Sequence, residues 1–222
     1  FRTPDGLVHA VRQASLGVAA GETVAVVGES GSGKSQLVMA AMGLLARNGE
    51  ATGSVRYRGT ELLGLPSREL NRYRGAKISM IFQEPMTSLD PLYPVGDQLL
   101  EPLIHHQGLS RAAARKSALE LMRLVRIPEP ERRLRSYPHE LSGGQRQRVM
   151  IAMAIANNPD VLIADEPTTA LDVTIQVEIL ALLADLQRRL GMGLVFITHD
   201  LNIVRRIADR VVVMRTGEIV EQ

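Results

Sequence analysis

Apolar and polar positions along the chain alternate between two periods. Short apolar runs bounded by turn residues fall at 22–27, 78–82, 161–164, 194–198 and 210–214 and are predicted to be core strands. Residues 7–18 and 54–58 are predicted antiparallel strands, because Val55 and Tyr57 alternate with Arg56 and Arg58. Helical spacing fills the intervals. Leu37, Ala40, Ala41, Leu44 and Leu45 form one apolar face; Ile175, Ile179, Leu182, Leu183, Leu186 and Leu190 form a longer one, with Asp172 as its N-cap and Gly191 beyond its end. Ser110 is placed to cap a helix that turns Ala118, Leu121, Met122 and Val125 inward before Pro128 and Pro130 stop it. Between 84 and 156 no strand is predicted. Strands alternating with helices imply an α/β fold around a mainly parallel sheet, interrupted by a helical insertion.

The other sequence properties narrow the class. A length of 222 residues suits one domain, or one with an inserted subdomain, and 45% apolar residues suffice for a full core. A net charge of +2, with no Lys/Arg block, is too weak a field to suggest a nucleic-acid partner. The absence of cysteine excludes disulfides, thiolate metal sites and a thiol nucleophile, and fits a cytosolic protein. The longest apolar stretches, 38–46 and 149–156, fall well short of the roughly 20 residues a membrane span needs. A first residue other than Met and a last residue close to a strand suggest a domain taken from a longer chain.

Chemistry enters at Gly28-Glu29-Ser30-Gly31-Ser32-Gly33-Lys34-Ser35, which fits the phosphate-loop pattern G-x-x-x-x-G-K-[ST] and lies between a predicted strand and a predicted helix. Glycines let the backbone turn its N–H groups toward phosphate oxygens, and the helix N-terminus adds a positive end. Lys34 is suited to the β- and γ-phosphates of a nucleotide and Ser35 to Mg²⁺. Residues 161–166, Val-Leu-Ile-Ala-Asp-Glu, are an apolar strand ending in two carboxylates. Buried charge there needs a cation, so Asp165 is read as a Mg²⁺ residue and Glu166 as the group that polarises the attacking water.

Leu141-Ser142-Gly143-Gly144-Gln145, standing shortly before that strand, resembles the signature motif of the ABC ATPases. The resemblance implies a P-loop NTPase core with an antiparallel β subdomain and an inserted helical subdomain, the core being 1–83 and 157–222 and the insertion about 84–156. It implies ATP hydrolysis with Mg²⁺, in a head-to-tail dimer where Ser142, Gly143, Gly144 and Gln145 bind the γ-phosphate held by the partner's loop. In the same family Gln83 resembles the glutamine that touches Mg²⁺ and water. His199 resembles the histidine at the γ-phosphate, and Ala170-Leu171-Asp172 the segment lining the dimer interface, with Asp172 near nucleotide. Gln36 belongs to the nucleotide-binding loop, and Phe1 stands where the family's adenine-stacking aromatic is expected.

Narrower stretches, including Phe82 to Pro91, Tyr137 to Gly144 and Thr168 to Gln176, look like the oligopeptide, dipeptide and nickel importers. The opening Thr3-Pro-Asp-Gly6 is most similar to the larger ATPase subunit of the oligopeptide group. That implies a second ATPase subunit, two transmembrane permease subunits, an external substrate-binding protein and a peripheral place on the cytoplasmic face of the bacterial inner membrane. A nickel or other small-solute importer is the alternative. DNA-acting ABC ATPases carry long heptad arms between the two motifs, which the proline-interrupted stretch 84–140 does not offer. No charged linker typical of ribosome-associated members is present, and Glu166 with His199 argues against a sensor without turnover.

Overall fold

The computed structural model describes residues 1–83, 88–169 and 171–222. In chain order the described elements are β1 (Arg2–Thr3), β2 (Gly6–Leu7), β3 (Thr23–Val27), α1 (Lys34–Ala41), β4 (Arg56–Tyr57), β5 (Thr60–Glu61), α2 (Ser67–Leu70) and β6 (Ile78–Ile81). There follow α3 (Val95–Gln107), α4 (Arg111–Leu124), α5 (Pro130–Arg133), α6 (Gly143–Ile155) and β7 (Val161–Asp165). The chain closes with α7 (Val173–Leu190), β8 (Gly193–Thr198), α8 (Leu201–Ile207), β9 (Arg210–Arg215) and β10 (Glu218–Glu221).

Six strands form one sheet in the order β10-β9-β3-β8-β7-β6, parallel except for β10. Every residue of β3 and β8 is buried, as expected for central strands covered on both faces. The parallel strands all end at one edge, where ligands of open α/β sheets bind. β3 runs into 28–35, β6 into Gln83, β7 into Glu166 and β8 into His199. Among the described residues no strand lies between 84 and 156. Helices α3, α4 and α6 share a continuous apolar cluster with Leu162 of β7 and Phe196 of β8.

The predicted caps hold. Asp172 Oδ1 accepts from Ile175 N at 3.0 Å, Gly191 takes the left-handed position after α7, and Ser110 Oγ accepts from Ala113 N at 3.3 Å. Four details differ from expectation. The strand expected over 7–18 is only β2, hairpinned to β1; Gln13 at φ 44° breaks the extended run, and Val11, Leu16 and Val18 pack on the core without joining the ladder. The strand expected over 54–58 is only β4. Arg58 and Gly59, both at positive φ, make the tight turn into β5. In α1 the buried side chains are Lys34 and Val38, with Met42 at the cap, and the helix ends before Leu44 and Leu45 because Gly43 is left-handed. Pro130 opens α5 instead of ending α4, which stops at Leu124 ahead of Arg126 at φ 60°.

Candidate active site

The loop after β3 is closed by two near approaches. A Cβ on Gly28 would stand 2.2 Å from the Met214 carbonyl oxygen, and one on Gly33 would stand 2.4 Å from that of Ala10. Gly33, at φ 97°, is the N-cap of α1 and supplies no side-chain cap. Among the described residues, the backbone N–H groups of Gly33, Lys34, Ser35 and Gln36 have no protein acceptor, so the first turn is open to an outside anion. Lys34 is 5% exposed, and its Nζ donates to the carbonyls of Gly28 and Glu29, 2.9 Å each, which tethers the ammonium to the loop. Glu29, Ser30 and Gly31 form the exposed crest; Ser32 is buried beneath it with its Oγ unpartnered.

Asp165 ends β7 at 4% exposure, and its Oδ1 has no partner. Burial pushes its carboxyl above the usual carboxylate range. A hydrogen bond from Ser35 opposes that shift, the charge of Glu166 adds to it, and the charge of Lys34 opposes it. A buried carboxylate with an unused oxygen, beside the serine at the start of α1, suits a cation. Ser35 and Asp165 therefore fit Mg²⁺, which is commonly held by one or two protein oxygens together with phosphates and water. Among the described residues no group of three or more His, Cys, Asp or Glu could hold a metal without such help.

Glu166 gathers a second constellation. Its N–H donates to the Ile197 carbonyl at 3.0 Å, extending the β7–β8 ladder by one step. Its Oε2 accepts from Gln83 Nε2 at 3.3 Å and from Thr169 Oγ1 at 2.9 Å, and its Oε1 lies 3.3 Å from His199 Nδ1. The side chain of Glu166 is 14% exposed and that of His199 63%, so the carboxylate is sheltered while the imidazole faces solvent. Gln83, Glu166 and His199, three sequence candidates from three strand ends, are thus joined. Thr169 was not singled out from the sequence. Its position three residues after Glu166, in the turn opened by Pro167, was the available signal.

Other candidates stand apart from this edge. Ser142 caps α6: its Oγ accepts from Gln145 N at 3.3 Å, and Gln145 Oε1 accepts from Ser142 N at 3.2 Å. Gly143 and Gly144 pack under Leu171 and Ile175. Among the described residues no hydrogen bond or ion pair links 142–145 to the loop 28–36. Asp172 is exposed and engaged as the α7 cap, and Ala170 lies outside the described residues. The Phe1 ring rests against Gly49, beyond the C-terminal end of α1, while the phosphate loop forms the opposite end of that helix.

A parallel sheet with a glycine loop opening from β3 onto a helix N-terminus, and a buried carboxylate at the end of β7, one strand removed across β8, defines a P-loop NTPase core. The ABC transporter family model matches residues 11–169, and the chain belongs to that family. It is 53% identical over its whole length to the oligopeptide transport ATP-binding protein OppD of Salmonella typhimurium, of which it covers 66%. It is 52% identical, also over its whole length, to the dipeptide transport ATP-binding protein DppD of Lactococcus lactis subsp. cremoris, covering 64%. The chain thus spans about two thirds of the length of these curated relatives. Among solved structures, the ATP-binding cassette MJ0796, a dimer in a post-hydrolysis state bound to ADP and Pi, superposes over the whole chain and 93% of its own. The TM-score is 0.87 at 33% identity.

Proposed function

We propose that this chain is the ATP-binding and ATP-hydrolysing subunit of an ABC importer of peptides. One observation carries the hydrolytic part: the sheltered Glu166 carboxylate, met by Gln83, Thr169 and His199, beside a buried Asp165 whose Oδ1 has no hydrogen-bond partner. In this reading the free N–H groups of α1 and the Lys34 ammonium bind the ATP phosphates, while Ser35, Asp165 and Gln83 hold Mg²⁺. The bound ion supplies positive charge against the phosphate oxygens. Glu166 orients and polarises water, held in place by Thr169 and Gln83, and His199 faces the γ-phosphate from the solvent side.

The partner reading follows from the separation of the two anion-binding helix ends. Ser142 through Gln145 serve the loop of a second ATPase subunit, packed head to tail. Residues 84–156 form the inserted helical subdomain. Among the described residues no helix is long and apolar enough to cross a membrane, so transport needs two permease subunits, served from outside by a substrate-binding protein. The chain then sits at the cytoplasmic face of the inner membrane. Names of the relatives, oligopeptide and dipeptide transport, support peptides over nickel.

The test is Glu166→Gln, which keeps the shape and removes the charge. Turnover should fall about 10²–10⁴-fold, as is common for loss of a general base. ATP binding should persist, and ATP should then hold two subunits together as a dimer visible by gel filtration. Turnover at the unmodified rate would end the reading of Glu166. In vesicles carrying permease and binding protein, ATP hydrolysis that ignores added peptide would end the peptide reading alone.

A further inference from the structure

At the edge of the sheet opposite the phosphate loop lies a cavity of about 500 Å³ between the turn that enters β6 and the last turn of α3. Its walls include Arg68, Arg72, Lys77, His105 and His106, and no carboxylate lines it. Among the described residues, Arg68, Arg72 and Lys77 make neither an ion pair nor a side-chain hydrogen bond. Nearby Arg74 shows the contrast: its guanidinium is engaged by the carbonyls of Met42 and Gly43 and by Asn71 Oδ1. These three cations are solvent-exposed and face one concavity that presents no protein carboxylate to them.

The walls are braced. Asn157 Nδ2 donates to the Gly75 carbonyl at 3.0 Å and the Pro102 carbonyl at 3.4 Å, while Gln107 Nε2 donates to Asn157 Oδ1 at 2.9 Å and the Ala156 carbonyl at 3.0 Å. These bonds tie the β6 turn, α3 and the end of α6 together. Gly75, at φ 69°, lets the His106 ring sit against the turn, where a Cβ would stand 3.1 Å from Nε2. His105 and His106 pack edge to face with ring centroids 4.7 Å apart. Burial, and then the neighbouring His105, hold the His106 imidazole below its ordinary pKa, a cost that an anion in the cavity would offset.

We propose that this cavity is a second anion site, distinct from the ATP loop, that takes a phosphate-bearing ligand through Arg68, Arg72, Lys77 and the two imidazoles. Guanidinium forks suit phosphate oxygens, and Lys77 adds a point charge. A soluble phosphoryl compound and a lipid headgroup share this chemistry.

The experiment follows the imidazole NMR signals of the five histidines, with those of His105 and His106 assigned by His105→Gln and His106→Gln. Inorganic pyrophosphate should shift both signals along a saturable curve. Binding should weaken roughly tenfold or more in Arg68→Gln, Arg72→Gln and Lys77→Gln singly, and vanish in the triple variant, since each removes a charge-assisted contact. The His199 response, which reports the ATP edge, should survive in all of them. A second arm sediments the chain with phosphatidylglycerol or phosphatidylcholine vesicles. Capture by the former alone, lost in the triple variant and without a pyrophosphate response, identifies a lipid headgroup as the source. If neither probe acts at His105 and His106, or if the triple variant responds like the parent chain, the site does not exist.

Discussion

Two helix N-termini in this chain have the composition of anion sites, and they are finished in opposite ways. At α1 the cap is Gly33, which has no side chain to give, and the N–H groups from Gly33 to Gln36 stay without a protein acceptor. At α6 the cap is Ser142, and a reciprocal pair of bonds with Gln145 satisfies donors that α1 leaves open. The first end is therefore built for a ligand of its own chain. The second has two of its donors closed by the cap, while among the described residues the N–H groups of Gly143 and Gly144 have no protein acceptor, and Ser142 Oγ uses only acceptor capacity in that cap and keeps its proton to donate. A motif rich in serine and glycine does not by itself say which kind of end will form. The residue at the N-cap position does.

The sharpest way to break this contrast is Lys34→Ala. Losing a charge-assisted contact worth roughly 1.5–3 kcal/mol should weaken ATP binding by about one to two orders of magnitude while leaving the fold intact. A calorimetric titration checks it, and parent-like affinity would show that the open end is not where ATP binds. Next comes a matched pair of glycines. Gly33→Ala forces a Cβ against the Ala10 carbonyl at a left-handed position, and should cost about 1–3 kcal/mol in urea unfolding. Gly143→Ala meets only Leu171 at 3.5 Å, an ordinary contact, and should change stability by less than about 0.5 kcal/mol. Equal costs would mean the two ends are not differently built. After the glycine pair comes Ser142→Ala. Loss of the cap should cost about 1 kcal/mol of stability and leave ATP binding by a single chain untouched. A fall in single-chain affinity would place Ser142 at its own loop.

The sheet was legible because its five parallel runs are short and mostly apolar, and the inner strands β3 and β8 are buried throughout. The caps at Asp172 and Ser110 were legible because capping is local chemistry. What failed was extended chain without alternation of faces: 7–18 has the apolar content of a strand, but Val11, Leu16 and Val18 pack on the core beside a kink at Gln13. The inward face of α1 was misjudged because periodicity does not reveal where Gly43 ends the helix. At the strand ends, Asp165 and Glu166 could be picked out by position, as carboxylates closing an apolar run, whereas Gln83 and His199 were picked out by resemblance to the family. That Gln83 and His199 both meet Glu166, with Thr169 as a further partner, depends on strand order, which no local pattern encodes. Phe1 against Gly49 is likewise a tertiary fact.

Glu166 occupies a left-handed backbone position, at φ 46°. For a residue with a Cβ that conformation carries a cost of about 1–2 kcal/mol, borne here at the bond that prolongs the β7–β8 ladder. Glycine would fit the same backbone more comfortably, so under the role proposed for Glu166 unfolding stability and hydrolysis pull in opposite directions at this one residue. Selection for thermal resistance alone would favour erasing the carboxylate. On that proposal, a lineage that keeps it bears a standing thermodynamic burden for the sake of turnover.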